Sequence, residues 1–239
     1  MIERKIAKHH EKVIGILGGM GPEATAALFL KIIRATPALK DQDHFRIVID
    51  NNPKIPNRVQ AILDNDESPL EQLQATLHNL ERAGAELVAI PCNTAHYYYN
   101  ELQASANVPI INMISETVAY IYSNFPNIKK IGLLASSGTL KTGIYHKATT
   151  KMEVITPDDS KQEIAMNAIY GEQGIKAGFT QGEPRNAMLE VAKALINRGA
   201  EAIIAGCTEV SLVLTQEDLP VPLIDALQVL AETVVKKAR

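Results

Sequence analysis

At 239 residues the chain has room for one large domain or two of ordinary size. Apolar residues make up 46 % of it, charged residues 21 %, and the formal net charge is -3, which excludes a disordered chain and the basic excess of a nucleic-acid binder. No apolar run reaches the roughly 18 residues that span a bilayer, so no membrane partner is expected.

Residues 1–12 are rich in charge and have no apolar h-region, so they read as a loose leader before the first strand, not as a signal peptide. With no export signal, a reducing, cytoplasmic setting is expected. Two cysteines make a poor disulfide framework there, and both thiols should be free. Short β-branched runs then alternate with longer amphipathic segments. The predicted strands cover residues 13–17, 46–50, 86–91, 109–112, 130–135, 152–156, 201–205 and 222–225.

After the first strand comes Gly18-Gly19-Met20-Gly21-Pro22-Glu23-Ala24, with Pro22 opening a helix over 23–34. Gly19-x-Gly21-x-x-Ala24 formally fits a dinucleotide fingerprint with Asp50 as the ribose-binding acid, which leaves a nicotinamide enzyme as an alternative. The fit is poor, because Asp50 falls 31 residues after Gly19 where about 20 are expected, and Pro22 removes an N–H that a pyrophosphate would use. A small anionic ligand approaching the backbone suits the glycines better. Ser68-Pro69-Leu70-Glu71 has capping-box spacing, and Leu70, Leu73, Leu77 and Leu80 form one apolar helical stripe behind it. Ser160 and Glu163 repeat that spacing before Ile164, Ile169 and Tyr170. Gly84 and Gly199 sit where helix C-termini should be. Alternating strands and helices of this kind imply an α/β protein with parallel sheets.

The second half echoes the first. Ile14-Gly15-Ile16-Leu17 reappears as Ile131-Gly132-Leu133-Leu134. Gly84-Ala85-Glu86 leads to Pro91-Cys92-Asn93-Thr94, and Gly199-Ala200-Glu201 leads to Gly206-Cys207-Thr208-Glu209. Val108-Pro109-Ile110-Ile111-Asn112 returns as Val221-Pro222-Leu223-Ile224-Asp225. Shared composition makes any two βαβ units look alike, but it does not place a cysteine at the same point twice. Two similar α/β domains related by a pseudo-twofold axis are therefore expected, with the active site in the cleft between them. We divide the chain into residues 1–115 and 116–225, with a helix over about 226–239 that can pack back on the first domain.

Each cysteine ends a buried strand and precedes a polar turn, so each should stand at the sheet edge where α/β proteins bind ligands. Two thiols flanking one cleft suit 1,1-proton transfer, in which one group removes a proton from one face of a carbon and the other delivers one to the opposite face. Both cysteines precede what looks like the first turn of a helix, where free N–H groups would favour the thiolate and, with the Thr94 and Thr208 hydroxyls, could hold an α-carboxylate. Plainer roles stay open. A lone cysteine at a strand end is ordinarily core packing. Cys92 and His96 have metal-ligand spacing, with only Cys207 and Glu209 to complete a zinc site, so no metal is expected. Glu209 can be a capping carboxylate and nothing more.

The segments Gly18-Gly19-Met20-Gly21-Pro22, N-N-P-K-I-P-N-R at 51–58, P-C-N-T-A-H at 91–96 and G-C-T-E at 206–209 resemble the aspartate/glutamate racemases that work without pyridoxal phosphate. Residues 136–139 and 174–178 add to the resemblance, which runs from about 13 to 231. It implies no cofactor, a homodimer, a small acidic amino-acid substrate, and Cys92 and Cys207 as the acid–base pair. It further implies that Asn93, Thr94 and Thr208 hold the amino-acid head while Arg58 and Lys176 grip the distal carboxylate. Met20, Asn51 and Thr139 are implied as backbone or hydroxyl contacts, with Glu209 in support. Glu209 stands where glutamate-specific relatives have histidine, which favours aspartate or a broader range. Hydantoin racemases, maleate isomerases and arylmalonate decarboxylases share the two-domain plan. A non-catalytic protein closing two lobes around an acidic metabolite is the reading from another class.

Overall fold

The computed structural model describes residues 11–239. Most of the leader expected over 1–12 lies outside the described residues. Its last member is not loose: the Lys12 backbone N–H donates to Ala238 O at 2.8 Å, and its Nζ donates to Lys237 O at 3.0 Å.

Two parallel sheets carry the fold. In the first, β1 (Ile14–Gly18) lies between β2 (Ile47–Asn51) and β3 (Leu87–Ala89). In the second, β4 (Lys130–Leu134) lies between β5 (Glu153–Ile155) and β6 (Ala202–Ala205), and β7 (Leu223–Asp225) extends the far side of β6. Ile14 faces Ile47 and Leu87 across the ladders, as Ile131 and its neighbours face β5 and β6, so the repeated I-G-[IL]-L run is the central strand each time.

The strand predicted over 109–112 shrinks to one bridge between Ile110 and Val88, whereas its counterpart β7 pairs at three positions. The halves also differ on the other side of the cysteine-bearing strand. Gly206 extends the β4–β6 ladder by donating its N–H to Leu134 O at 2.9 Å, but Pro91 has no N–H to donate. The β1–β3 ladder accordingly pairs at three positions where β4–β6 pairs at four.

The other repeated motifs turn out to be joints. Gly84 and Gly199 adopt φ of +91° and +94°, and in both places the next N–H reaches back five residues, Ala85 to Leu80 O and Ala200 to Leu195 O. That is a Schellman ending, which an L side chain would strain. The glutamates that follow accept the backbone N–H groups entering the central strands, Glu86 from Val13 and Glu201 from Lys130. Asn112 and Asp225 close the unit by accepting from the N–H groups two and three residues ahead. They start the helices Met113–Asn124 and Ala226–Ala238.

Those two helices cross over. Ile114, Val118 and Ile121 pack with Ile131, Leu133 and Ala135 of the second sheet. Leu227, Leu230 and Val234 pack with Ile14, Ile16 and Leu28 of the first, while Val229 faces the second-sheet cluster. The helix Ala226–Ala238 therefore buries a wide apolar face and leaves Glu232, Lys236 and Lys237 exposed. Asp225 also pairs with Lys31 at 2.8 Å, fastening the crossover to the helix Pro22–Ala35.

Two caps differ from expectation. The helix Leu70–Arg82 buries Leu73, Leu77 and Leu80 as the stripe implied, but Pro69 takes the N-cap position and no capping box forms at Ser68. Asp158, not Ser160, caps the helix Asp159–Tyr170, because its carboxylate sits at the distance from which it accepts the Lys161 N–H. Among the described residues no helix is long and apolar enough to cross a membrane.

Candidate active site

Cys92 follows β3 and Cys207 follows β6, so both stand beyond the carboxyl ends of strands. Both are free and buried. They line one small chamber together with Met20, Arg58, Asn93, Thr94, Ser136, Tyr170, Lys176, Thr208 and Glu209. Its free volume is about 10 Å3, room for about one water, so the side chains that line it stand close around the two thiols. Met20, Arg58, Tyr170, Lys176 and Glu209 also border a wider vestibule of about 390 Å3 beside the glycine turn. The chamber therefore opens outward past its charged residues. A still larger depression, between the helices Asp159–Tyr170 and Glu183–Asn197, holds neither cysteine nor histidine, and we do not assign it to the chemistry.

The turns that carry the cysteines are short. Asn93 begins a 3-10 turn, Thr94–Tyr98, that runs into the helix Tyr99–Ser105, and Glu209 begins the four-residue helix Val210–Val213. The expectation that such a turn would favour the thiolate is corrected at Cys207. Burial pushes its thiol well above the ordinary value, and the Glu209 carboxylate adds to the shift against the opposing Lys176 charge. Sγ lies 2.8 Å from Glu209 Oε2, so the thiol keeps its proton and donates it there. Burial works against ionisation of Glu209, but the Lys176 ammonium and the Cys207 bond outweigh it and hold the carboxyl below its ordinary value. Lys176, paired with Glu209 Oε1, has its ammonium held up by the two charges despite burial. Its Nζ also lies 5.4 Å from the centre of the Tyr170 ring.

Arg58 opens the helix Arg58–Leu63, whose N-cap Asn57 accepts from Val59 and Gln60. Its guanidinium is buried and turned inward, with Nη1 donating to Ile55 O and Pro56 O, and Nη2 donating to Met20 O at 3.4 Å. Nε has no partner, and among the described residues no carboxylate pairs with Arg58. Asn93 Nδ2 is a second buried donor without a partner. Two orphaned donors lining one chamber are what a carboxylate ligand would satisfy.

The Thr94 hydroxyl lies 2.8 Å from Thr139 Oγ1 and 3.1 Å from Ser136 Oγ, so three buried hydroxyls join the first cysteine turn to the end of β4. Thr139 stands behind Thr94 and does not line the chamber. Thr208 Oγ1 faces Glu209 at 3.3 Å. The hydroxyls of Thr94 and Thr208 thus already have protein partners. Asn51 is exposed at the end of β2 and is not brought to the chamber.

Both ring nitrogens of His96 are taken by backbone, Nδ1 with Cys92 O at 2.9 Å and Nε2 with the Met113 N–H at 3.1 Å. They are not free for a metal, and among the described residues no group of three or more His, Cys, Asp or Glu could hold one. Asp50, the ribose acid of the dinucleotide alternative, accepts from Asn79 Nδ2 at an exposed position. Sequence reasoning missed Ser136, Tyr170 and Tyr145 as individual residues. Tyr170, next to the G-I-K-A-G segment, was the easiest of these to find.

Comparison with known proteins gives the family and the fold. The family model described as Asp/Glu/Hydantoin racemase matches residues 17–234. The chain is 30% identical over 230 residues to the broad specificity amino-acid racemase RacX of Bacillus subtilis, covering 93% of this chain and 96% of that protein. Among solved structures it is similar to the Picrophilus torridus aspartate racemase, with a TM-score of 0.82, 31% identity, and 95% and 94% of the two chains covered. An aspartate racemase homologue from Pyrococcus horikoshii aligns with a TM-score of 0.73 and 25% identity, over 95% of this chain and 99% of that one.

Proposed function

The chain belongs to the Asp/Glu/hydantoin racemase family, and from that premise we propose that this amino-acid racemase interconverts the enantiomers of aspartate by passing the α-proton between Cys92 and Cys207. The observation that carries the substrate is Arg58, a buried cation without a carboxylate partner in the chamber that both thiols line. An uncompensated buried guanidinium is costly, and a ligand carboxylate supplies the missing charge. Lys176 is already neutralised by Glu209, so Arg58 is left as the grip for the distal carboxylate.

Cys207 is protonated in the resting chamber and delivers its proton to one face of the α-carbon after Cys92, as thiolate, has removed the proton from the other. The roles exchange for the opposite enantiomer. Asn93 Nδ2 meets the α-carboxylate and stabilises the charge that develops beside it in the carbanion. The similarity to an aspartate racemase supports the substrate. The similarity to a broad specificity racemase supports a second reading, a wider amino-acid range.

The test is incubation of L-aspartate, L-glutamate and L-alanine with reduced enzyme in D2O without added cofactor, followed by proton NMR and chiral chromatography. Loss of the α-proton signal with appearance of D-aspartate is expected. Comparable turnover of L-alanine would establish the wider range. Cys92→Ala and Cys207→Ala should each lower the rate by at least about 100-fold, the lower bound for losing a positioned acid or base. A single-cysteine variant racemising at the wild-type rate would refute the two-thiol mechanism.

A further inference from the structure

One side chain touches both cysteine turns from behind. Tyr145, in the helix Ile144–Ala148 that follows β4, is fully buried. Its ring packs under Gly206, where an added Cβ would meet Cε2 at 3.4 Å. Its hydroxyl lies 2.6 Å from Asn93 Oδ1 on the opposite turn, 52 residues away in the chain.

That hydrogen bond has a direction. Burial raises the phenol far above its ordinary value, so the hydroxyl keeps its proton and donates to Asn93. Of the two amide atoms it is Oδ1 that faces the hydroxyl, and it accepts. A planar amide whose oxygen is pinned can aim its NH2 only the other way, and Nδ2 is the buried donor left without a partner in the chamber lining.

We propose that Tyr145 is a positioning residue for racemisation: it locks the Asn93 amide so that Nδ2–H2 faces the chamber and donates to the α-carboxylate of the bound amino acid. This rests on the chamber being the substrate site. Because every amino acid carries the α-carboxylate, losing the lock weakens every substrate alike. Losing the Arg58 contact weakens dicarboxylates alone. Tyr145→Phe keeps the ring under Gly206 and frees the amide to turn.

The experiment measures kcat, KM and Tm for Tyr145→Phe, Asn93→Ala and the double variant, on the amino acid the wild type racemises fastest. Tyr145→Phe should raise KM roughly tenfold, the low end for one hydrogen bond to a charged group, and change kcat less than about threefold. The double variant should match Asn93→Ala, because a residue acting through Asn93 has nothing left to act on. Asn93→Asp supplies an independent arm. It keeps an acceptor for Tyr145 but turns an oxygen toward the chamber, so KM should rise at least roughly tenfold with Tm little changed. Multiplicative effects in the double variant, or a wild-type KM in either Tyr145→Phe or Asn93→Asp, would overturn the proposal. Wild-type inactivity toward aspartate would overturn only the proposed substrate, since this test uses whichever amino acid is turned over.

Discussion

Glu209→Gln keeps the shape of a side chain that is 3% exposed and removes its charge. Lys176, with a side chain 22% exposed, then loses its counter-charge, and Cys207 loses an ionised acceptor at 2.8 Å. Breaking a buried ion pair from one side costs about 3–5 kcal/mol. Partial access of Lys176 to water, and the Tyr170 ring beside it, lower the expected loss to about 2–3 kcal/mol. For a chain of this size each kcal/mol moves Tm by about 2–4 °C, so a fall of about 4–12 °C is expected by scanning calorimetry. Removing the Glu209 charge also lowers the Cys207 thiol from its raised value, although burial remains the larger cause, so the alkaline limb of kcat/KM should move to lower pH. The acid side has a definite sign as well. The folded carboxyl titrates below its unfolded value of about 4.3, so its stabilisation is complete above that pH and is lost as pH falls through the folded value. The variant lacks that loss. A Tm within about 1 °C of wild type, together with an unmoved alkaline limb, would refute this account and leave Glu209 as a plain helix cap.

Two further outcomes are expected. Gly19→Ala should cost more than about 3 kcal/mol and empty the soluble fraction, because φ is +94° and the new Cβ would meet the Asn52 carbonyl carbon at 2.3 Å, a backbone atom that cannot rotate away. A soluble variant with wild-type Tm would contradict it. His96 should make the protein acid-sensitive, because burial depresses its pKa and Nε2 must stay unprotonated to accept the Met113 N–H. With the folded value below the unfolded one near 6.5, this contribution is complete above about pH 6.5 and declines as pH falls toward the folded value. Tm measured against pH should show that decline in the wild type and less of it in His96→Gln.

The sequence carried the parts of this protein that local chemistry can express. An apolar strand with a cysteine after it, a glycine at a Schellman ending and a glutamate two residues later are all short-range patterns, and the structure shows the glycine and the glutamate doing the same job in both halves. The orphaned charge of Arg58 could not be read that way. N-N-P-K-I-P-N-R shows a cation, but only the folded chain shows three backbone carbonyls around it and, among the described residues, no carboxylate. Asn51, in the same stretch, ends exposed because the pleat of β2 turns it outward. Lys176 meets Glu209 across 33 residues and Tyr145 meets Asn93 across 52, separations that no periodicity encodes. Amphipathic faces gave the helices Met113–Asn124 and Ala226–Ala238 a buried side but no named partner, beyond the expectation that the second can pack back on the first domain. Sequence determined the two repeated halves and the cysteine at the matching place in each. Only tertiary packing decided which helix crosses to which sheet and which charge in the chamber is left unpaired, because both depend on distances between segments remote along the chain.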